Sequence, residues 1–262
     1  MSVIGSNILA GASGQGGAGY EIERSLRFNA SDSSYLSRTP SSAGNRKTWT
    51  VSFWIKLVDN GSTNIFFAGP LGSNHSVIRI NGNILQIYLY NFSGGHSSWS
   101  GGNGSGWVSL ASLRDFAAWQ HIVIRMDSTQ ATASNRLRVY QNGVEMQASS
   151  SSYPGQNNDV GDWFGNQPHY IGRSTYDANQ YGSLYLADFN GIDGQALAAT
   201  DFGETDDNGV WQPKKFAGTY NTTGVDYTSQ AVLTGTIYSG AGGVDKIFDG
   251  TTATCGPNDG SY

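Results

Sequence analysis

Trp49, Val51, Phe53, Ile55 and Leu57 recur at every second position, with Thr50, Ser52 and Lys56 between them. Successive side chains of an extended chain point to opposite faces. The stretch therefore predicts a strand with one face in a core. Trp54 interrupts the polar set and predicts that the second face is partly covered as well. The rest of the chain narrows the fold further. Ile78 and Ile80 predict another strand, Asn81-Gly82-Asn83 a turn, and Leu85, Ile87 and Leu89 the returning strand of a hairpin. Leu137 and Val139 are followed by Asn142-Gly143 and then by Val144 and Met146. Asn-Gly between two alternating runs is the strongest short-range hairpin signal a sequence offers. In the run from Trp119 to Met126 either face could point inward, and Ile122, Ile124 and Met126 are the favoured inner set.

Ser25 to Phe28, Tyr170-Ile171-Gly172 and residues 182–190 supply further strands, while Ser112–Ala118 and Ala198–Phe202 are the only stretches with helical character. Short strands spaced by turn residues predict an all-β sandwich or jelly roll. The 36 glycines, 13% charged residues and 12% aromatics agree with that class and not with a helical one. Two long Gly/Ser/Asn-rich loops, 91–107 and 149–168, interrupt the strands and carry aromatic residues: Phe92, Trp99 and Trp107 in the first, Tyr153, Trp163 and Phe164 in the second. Loops beyond about 12–15 residues are uncommon and are often functional. Residues 1–21 combine an apolar patch (Val3, Ile4, Ile8, Leu9) with a glycine-rich spacer from Gly11 to Gly19, and read either as a disordered tail or as an arm that orders on docking. No internal repeat is evident.

Several function classes are disfavoured. The net charge is −5 and the 15 Lys and Arg residues form no block longer than a pair, which argues against a nucleic-acid surface. The single cysteine, Cys255, permits neither an internal disulfide nor a cysteine-built zinc site. The N-terminus has no secretory-signal pattern, and no apolar run is long enough to span a membrane as a helix.

Three stretches resemble a known family. They are Ser25–Phe28 with Tyr35–Thr39 and Trp49–Lys56; Trp119–Val123 with Arg136–Gly143; and Tyr170–Arg173 with Leu186–Leu197 and Phe202–Glu204. Their order and spacing resemble the concanavalin-A-like, laminin-G-type sandwich. The wording, including Gly209-Val210-Trp211-Gln212-Pro213-Lys214, is similar to a version found in phage structural and tail-fibre proteins. Ile4–Gly14 looks like the virion-attachment opening of such proteins, and Asp245–Thr252 like the opening of a discoidin-like carbohydrate-binding domain. At 221–230 the sequence departs from the phage version, with Asn221-Thr222-Thr223-Gly224-Val225-Asp226 in place of its Gly-rich, aromatic closing strand. The resemblance implies an attachment arm at 1–21, a concanavalin-A-like jelly-roll β-sandwich at 22–216, and a linker or start of a further domain at 217–262.

Catalytic patterns are sparse. A glycosidase on this fold needs two facing carboxylates, and no Glu-x-Asp-x-x-Glu strand pattern occurs; Glu21, Glu23, Glu204, Asp206 and Asp207 read as solvated positions. None of His75, His96, His121 and His169 stands in a nucleophile-elbow context, and His121 reads as structural. Related sandwiches often bind calcium at one rim, which makes Asp159, Asp162, Asp177 and Asp188 the candidate ligands; they form no calcium-loop motif and read more simply as turn residues. The expectation is no enzyme, no metal and no cofactor, with calcium the alternative. Exposed aromatic rings in loops suit sugar stacking, and Trp99, Trp107, Trp163 and Tyr176 are the candidates; the alternative for each is a buried anchor that pins down a long loop.

The leading expectation is a phage virion structural protein of tail-fibre type. It is anchored to tail or capsid proteins by Val3, Ile4, Ile8 and Leu9, is a homotrimer by the resemblance, and presents loops to a host-surface glycan. A capsid decoration protein, a soluble carbohydrate-binding module and, less favoured, a glycan hydrolase are the alternatives.

Overall fold

The computed structural model describes residues 20–59, 61, 63–69, 75–89, 106–175, 180–220 and 232–234. In chain order the strands among these are β1 (Leu26–Phe28), β2 (Tyr35–Arg38), β3 (Thr48–Leu57), β4 (Thr63–Ala68), β5 (Ser76–Asn81), β6 (Ile84–Tyr88), β7 (Trp107–Ser112), β8 (Gln120–Asp127), β9 (Leu137–Gln141), β10 (Val144–Glu145), β11 (Ala148–Ser151), β12 (His169–Ile171), β13 (Arg173–Ser174), β14 (Gln180–Tyr181), β15 (Leu184–Asp193), β16 (Gly203–Thr205), β17 (Trp211–Pro213) and β18 (Val232–Thr234). The only helical pieces among the described residues are three single 3-10 turns, and no helix among them is long and apolar enough to cross a membrane.

Two antiparallel sheets form a jelly-roll sandwich. One has six strands in the order β1-β15-β3-β8-β9-β10, the other eight in the order β11-β7-β6-β5-β4-β12-β2-β18. The alternation predicted for 49–57 is the inner face of β3: Trp49, Val51, Phe53, Ile55 and Leu57 all lie in the main core. Ile122, Ile124 and Met126 of β8 join them, as do Leu137 and Val139 of β9. From the opposite sheet come Leu36, Phe66, Ile78, Ile80, Leu85, Ile87 and Ile171. Each such side chain contributes roughly 1.5–3 kcal/mol when fully withdrawn from water. Both predicted hairpins form. Their turn residues, Gly82-Asn83 and Asn142-Gly143, all have positive φ, as a two-residue turn matched to strand twist requires.

The helical reading of Ser112–Ala118 is corrected. That segment turns through loop geometry, because the Asp115 carboxylate accepts from the backbone N–H groups of Ala117 and Ala118 and so satisfies them without a helix. At 198–202 the helical character shrinks to the turn Ala199–Asp201.

The outer face of the six-stranded sheet explains Trp54. The segment from Gln195 to Tyr220 crosses that face as a strap. Thr50 on β3 anchors its start: the hydroxyl donates to the Gln195 carbonyl and accepts from the Leu197 N–H. Val123 and Ile192 on the sheet then pack with Ala199, Phe202 and Phe216 of the strap in a second apolar cluster. Packing continues to Tyr220, whose hydroxyl donates to Asn190 Oδ1 at 3.0 Å. Trp211 packs against this cluster from the strap. It lies between Gly143 and Gly203, where a Cβ at either position would run into its indole ring.

Gly203→Ala is therefore expected to cost about 1–3 kcal/mol by overpacking. In a Trp211→Ala background the same change is expected to cost much less. A double-mutant cycle by urea denaturation measures the difference.

Candidate functional site

On the eight-stranded sheet the inward positions fill the core, so the alternate positions form an outer face. Tyr35 and Ser37 of β2, Tyr170 of β12, Val77 and Arg79 of β5, and Gln86 and Tyr88 of β6 occupy it. Next to β12 the chain kinks at Gly172, whose φ of +81° brings its backbone close against the Phe28 ring. Arg173 follows and pairs with Tyr181 across the small β13–β14 ribbon. The result is a cluster in which the Arg173 guanidinium lies 4.6 Å from the Tyr35 ring, 5.4 Å from Tyr170 and 5.5 Å from Tyr181. All four side chains are half-buried. Farther along the same face Arg79 lies 5.4 Å from the Tyr88 ring and donates to Gln86 Oε1 at 2.7 Å. The rings and guanidinium groups are thus held in place while part of each stays in solvent. That combination suits recognition of a ligand with both apolar faces and hydroxyls.

The tryptophans singled out in the loops lie elsewhere. Trp163 is 0% exposed, at 5.1 Å edge-on to Trp49 and 5.1 Å stacked on Phe66. Trp107 is 3% exposed and opens β7 as a core residue. Neither offers a ring face to a sugar, so the reading of these two as stacking platforms is corrected. A long loop with few apolar residues needs buried anchors, and these are two of them. Trp99, Tyr176 and the arm residues Val3, Ile4, Ile8 and Leu9 lie outside the described residues. Sequence reasoning missed Tyr35, Tyr170, Tyr181 and Arg173. Tyrosine is ordinary in strands, and the available signal was its placement opposite the inward Leu36 and Ile171.

Ser52 and His121 are hydrogen-bonded at 2.8 Å, a pairing that invites comparison with a catalytic dyad. The geometry runs the other way. Trp211 Nε1–H donates to His121 Nδ1 at 3.0 Å, and indole is a donor only. The neutral ring therefore carries its proton on Nε2, which donates to Ser52 Oγ rather than accepting from it. Burial pushes the His121 pKa down to about 3 and keeps the ring neutral. Trp54 stacks on one side at 4.9 Å and Trp211 lies 6.0 Å away.

A second polar group lies toward the 160–169 loop. Burial raises Asp162 to about 6 against the opposing pull of Arg46 at 3.6 Å. His169 falls to about 4, chiefly by burial and secondarily through Arg38. Of the calcium candidates, Asp188 sits in a bulge of β15 at φ +46° and accepts from the Tyr20 hydroxyl at 3.4 Å, while Asp159 is exposed and Asp177 lies outside the described residues. Among the described residues no three His, Cys, Asp or Glu side chains gather in a metal-holding group.

A profile of the concanavalin A-like lectin/glucanases superfamily matches residues 29–201. Among solved structures, the heptameric SAP-like pentraxin from Limulus polyphemus is similar in fold, with a TM-score of 0.52, 12% identity, and coverage of 81% of this chain and 92% of the pentraxin chain. Domains LG4-5 of the mouse laminin alpha1 chain match with a TM-score of 0.47 and 14% identity, over 69% of this chain and 44% of that one. The Ruminococcus gnavus IT-sialidase CBM40, solved with alpha2,3 sialyllactose, matches with a TM-score of 0.41 and 9% identity, over 69% and 96%. No curated protein matches the sequence.

The two depressed histidines set a pH dependence. Their folded values, about 3 and about 4, lie below the ordinary 6.5, so the unfolded chain takes up protons first as pH falls. Stability is full above about pH 6.5 and is lost on going down toward 4. Asp162, raised to about 6, acts in the opposite sense as pH falls and offsets part of this. Urea midpoints at pH 7.5, 5.5 and 4.5 should fall with a net loss on the order of a few kcal/mol. His121→Gln should flatten the slope.

Proposed function

The chain belongs to the concanavalin A-like lectin/glucanase superfamily, and on that premise we propose that it is a non-catalytic glycan-recognition protein of a phage virion. The observation that carries the recognition reading is the half-exposed Tyr35–Tyr170–Tyr181–Arg173 cluster on the outer face of the eight-stranded sheet. Tyrosine rings give a sugar flat apolar surfaces, and their hydroxyls with the guanidinium give it hydrogen-bond partners. The lectin-like membership and the carbohydrate-binding module among the similar structures agree in kind with this use of the fold.

The non-catalytic part is supported by the Ser52–His121 pair. Its nitrogens are both committed, the imidazole is neutral, and both residues are 1% exposed. A base in that state does not take a proton from serine.

The virion part rests on the sequence: residues 22–220 resemble phage tail-fibre proteins, and Ile4–Gly14 resembles their attachment end. In this proposal Val3, Ile4, Ile8 and Leu9 dock to other tail or capsid proteins and the protein assembles as a homotrimer. Deletion of residues 1–20 should abolish incorporation into particles and leave the sandwich folded.

Recognition is tested on an array of bacterial-surface glycans. Tyr181→Ala, in a short two-stranded ribbon away from the core, should weaken binding by about tenfold, equivalent to ~1.4 kcal/mol, with thermal unfolding unchanged. Equal binding by the variant, or no bound glycan, would remove the recognition reading.

A further inference from the structure

We propose that strand β18, Val232–Thr234, positions the tyrosine–arginine cluster, so that glycan affinity is coupled to the docking of this late segment; this rests on that face being the glycan site. Tyr35 is the hub of the cluster. Its ring lies 6.0 Å from that of Tyr170 and 6.0 Å from that of Tyr181. The Arg173 guanidinium is nearer to Tyr35, at 4.6 Å, than to either of the other two rings. Whatever fixes Tyr35 therefore fixes how the four side chains meet.

Tyr35 opens β2. On one side β2 pairs with β12 at His169↔Arg38, Tyr170↔Ser37 and Ile171↔Leu36. That ladder stops one residue short of Tyr35. Gly172 follows Ile171 with a φ of +81°, and its N–H donates to the Ile65 carbonyl on the β4 side at 3.0 Å. On its other side β2 pairs with β18 at Val232↔Ser37, Leu233↔Leu36 and Thr234↔Tyr35. Among the described residues Thr234 is thus the ladder partner of Tyr35. Bonds with Asn29 hold Ser34 in the preceding turn, and the sheet pairing of Tyr35 itself is left to β18.

β18 is the outermost strand of the eight-stranded sheet and joins it through three residue pairs. It follows the strap by way of residues 221–231 and lies beyond the family match, which ends at residue 201. A short edge strand opens locally at far less cost than a strand of the core. With β18 away, Tyr35 would end an edge strand, and fewer molecules would hold the cluster in its binding arrangement. Apparent affinity falls with that fraction. Linkage makes the effect reciprocal: a glycan seated on the cluster holds β18 in place by the same factor.

The test uses the full chain, a printed array of bacterial-surface polysaccharides, and hydrogen–deuterium exchange. Successive N–H groups of a strand point to opposite neighbours, so in the double variant Leu233→Pro/Thr234→Pro one of the two prolines removes a donor toward β2. The variant is expected to bind the array's strongest polysaccharide about tenfold more weakly, to exchange faster in the peptide covering Tyr35–Arg38, and to keep its thermal midpoint. In the unaltered chain, saturation with the same polysaccharide should slow exchange in the peptide covering Val232–Thr234. A strand with a structural role alone would not respond in that way, and this measurement decides the matter if the variant unfolds. Unchanged affinity in the folded variant, or unchanged exchange at 232–234 on saturation, overturns the coupling and leaves glycan recognition standing. An array with no bound polysaccharide overturns both.

Discussion

A strand that is apolar on one face can rest at the surface of a two-layer sandwich, with its other face in water. β3 cannot, because Trp54 lies on its outer face beside Thr50 and Ser52, and all three are buried. The molecule resolves this with a third layer over half of one sheet. The strap from Gln195 to Tyr220 covers the outer side of β3 and β8, and its position depends on one neutral histidine. His121 ties Ser52, stacks on Trp54 and accepts from Trp211. Charging that ring would leave a cation among indoles and break the acceptor side of the network. Gly143 and Gly203 complete the arrangement by leaving room for the Trp211 ring.

Much of this architecture could be read from the sequence. Period-two alternation identified the inner faces of β3, β5, β6 and β9, and Asn-Gly chemistry identified the 142–143 turn. Trp54 signalled a covered outer face but not by what, because the cover comes from residues far along the chain. The 112–118 segment looked helical by composition, yet one aspartate in a local turn outweighed propensity. The site was less legible. Loop tryptophans are conspicuous, but Trp107 and Trp163 are large enough to be needed as core anchors. The tyrosines of the outer face were inconspicuous because a strand uses tyrosine on either side. Their clustering depends on Arg173, which a glycine kink brings beside residues 35 and 170, and no local pattern encodes that meeting.

The two outer faces therefore differ in character. The six-stranded sheet gives much of its outer surface to internal packing, and its polar groups are consumed by the strap. The eight-stranded sheet leaves tyrosines and arginines partly in water, on strands without acidic residues. The strap buries what would otherwise be an apolar liability, while the other sheet keeps its tyrosine and arginine side chains in a fixed, half-buried array.

The strap is also late in the order of synthesis. A ribosome exposes β3, β8 and β9 well before Trp211 emerges, so the nascent sheet carries Trp54 and Val123 uncovered for the time needed to add the strap. At about 5–20 residues per second that interval is several seconds. During it the outer face of the six-stranded sheet is an apolar surface open to any neighbouring chain. A chain truncated before the strap would carry the residues of the main core and still leave Val123 and Trp54 without their cover.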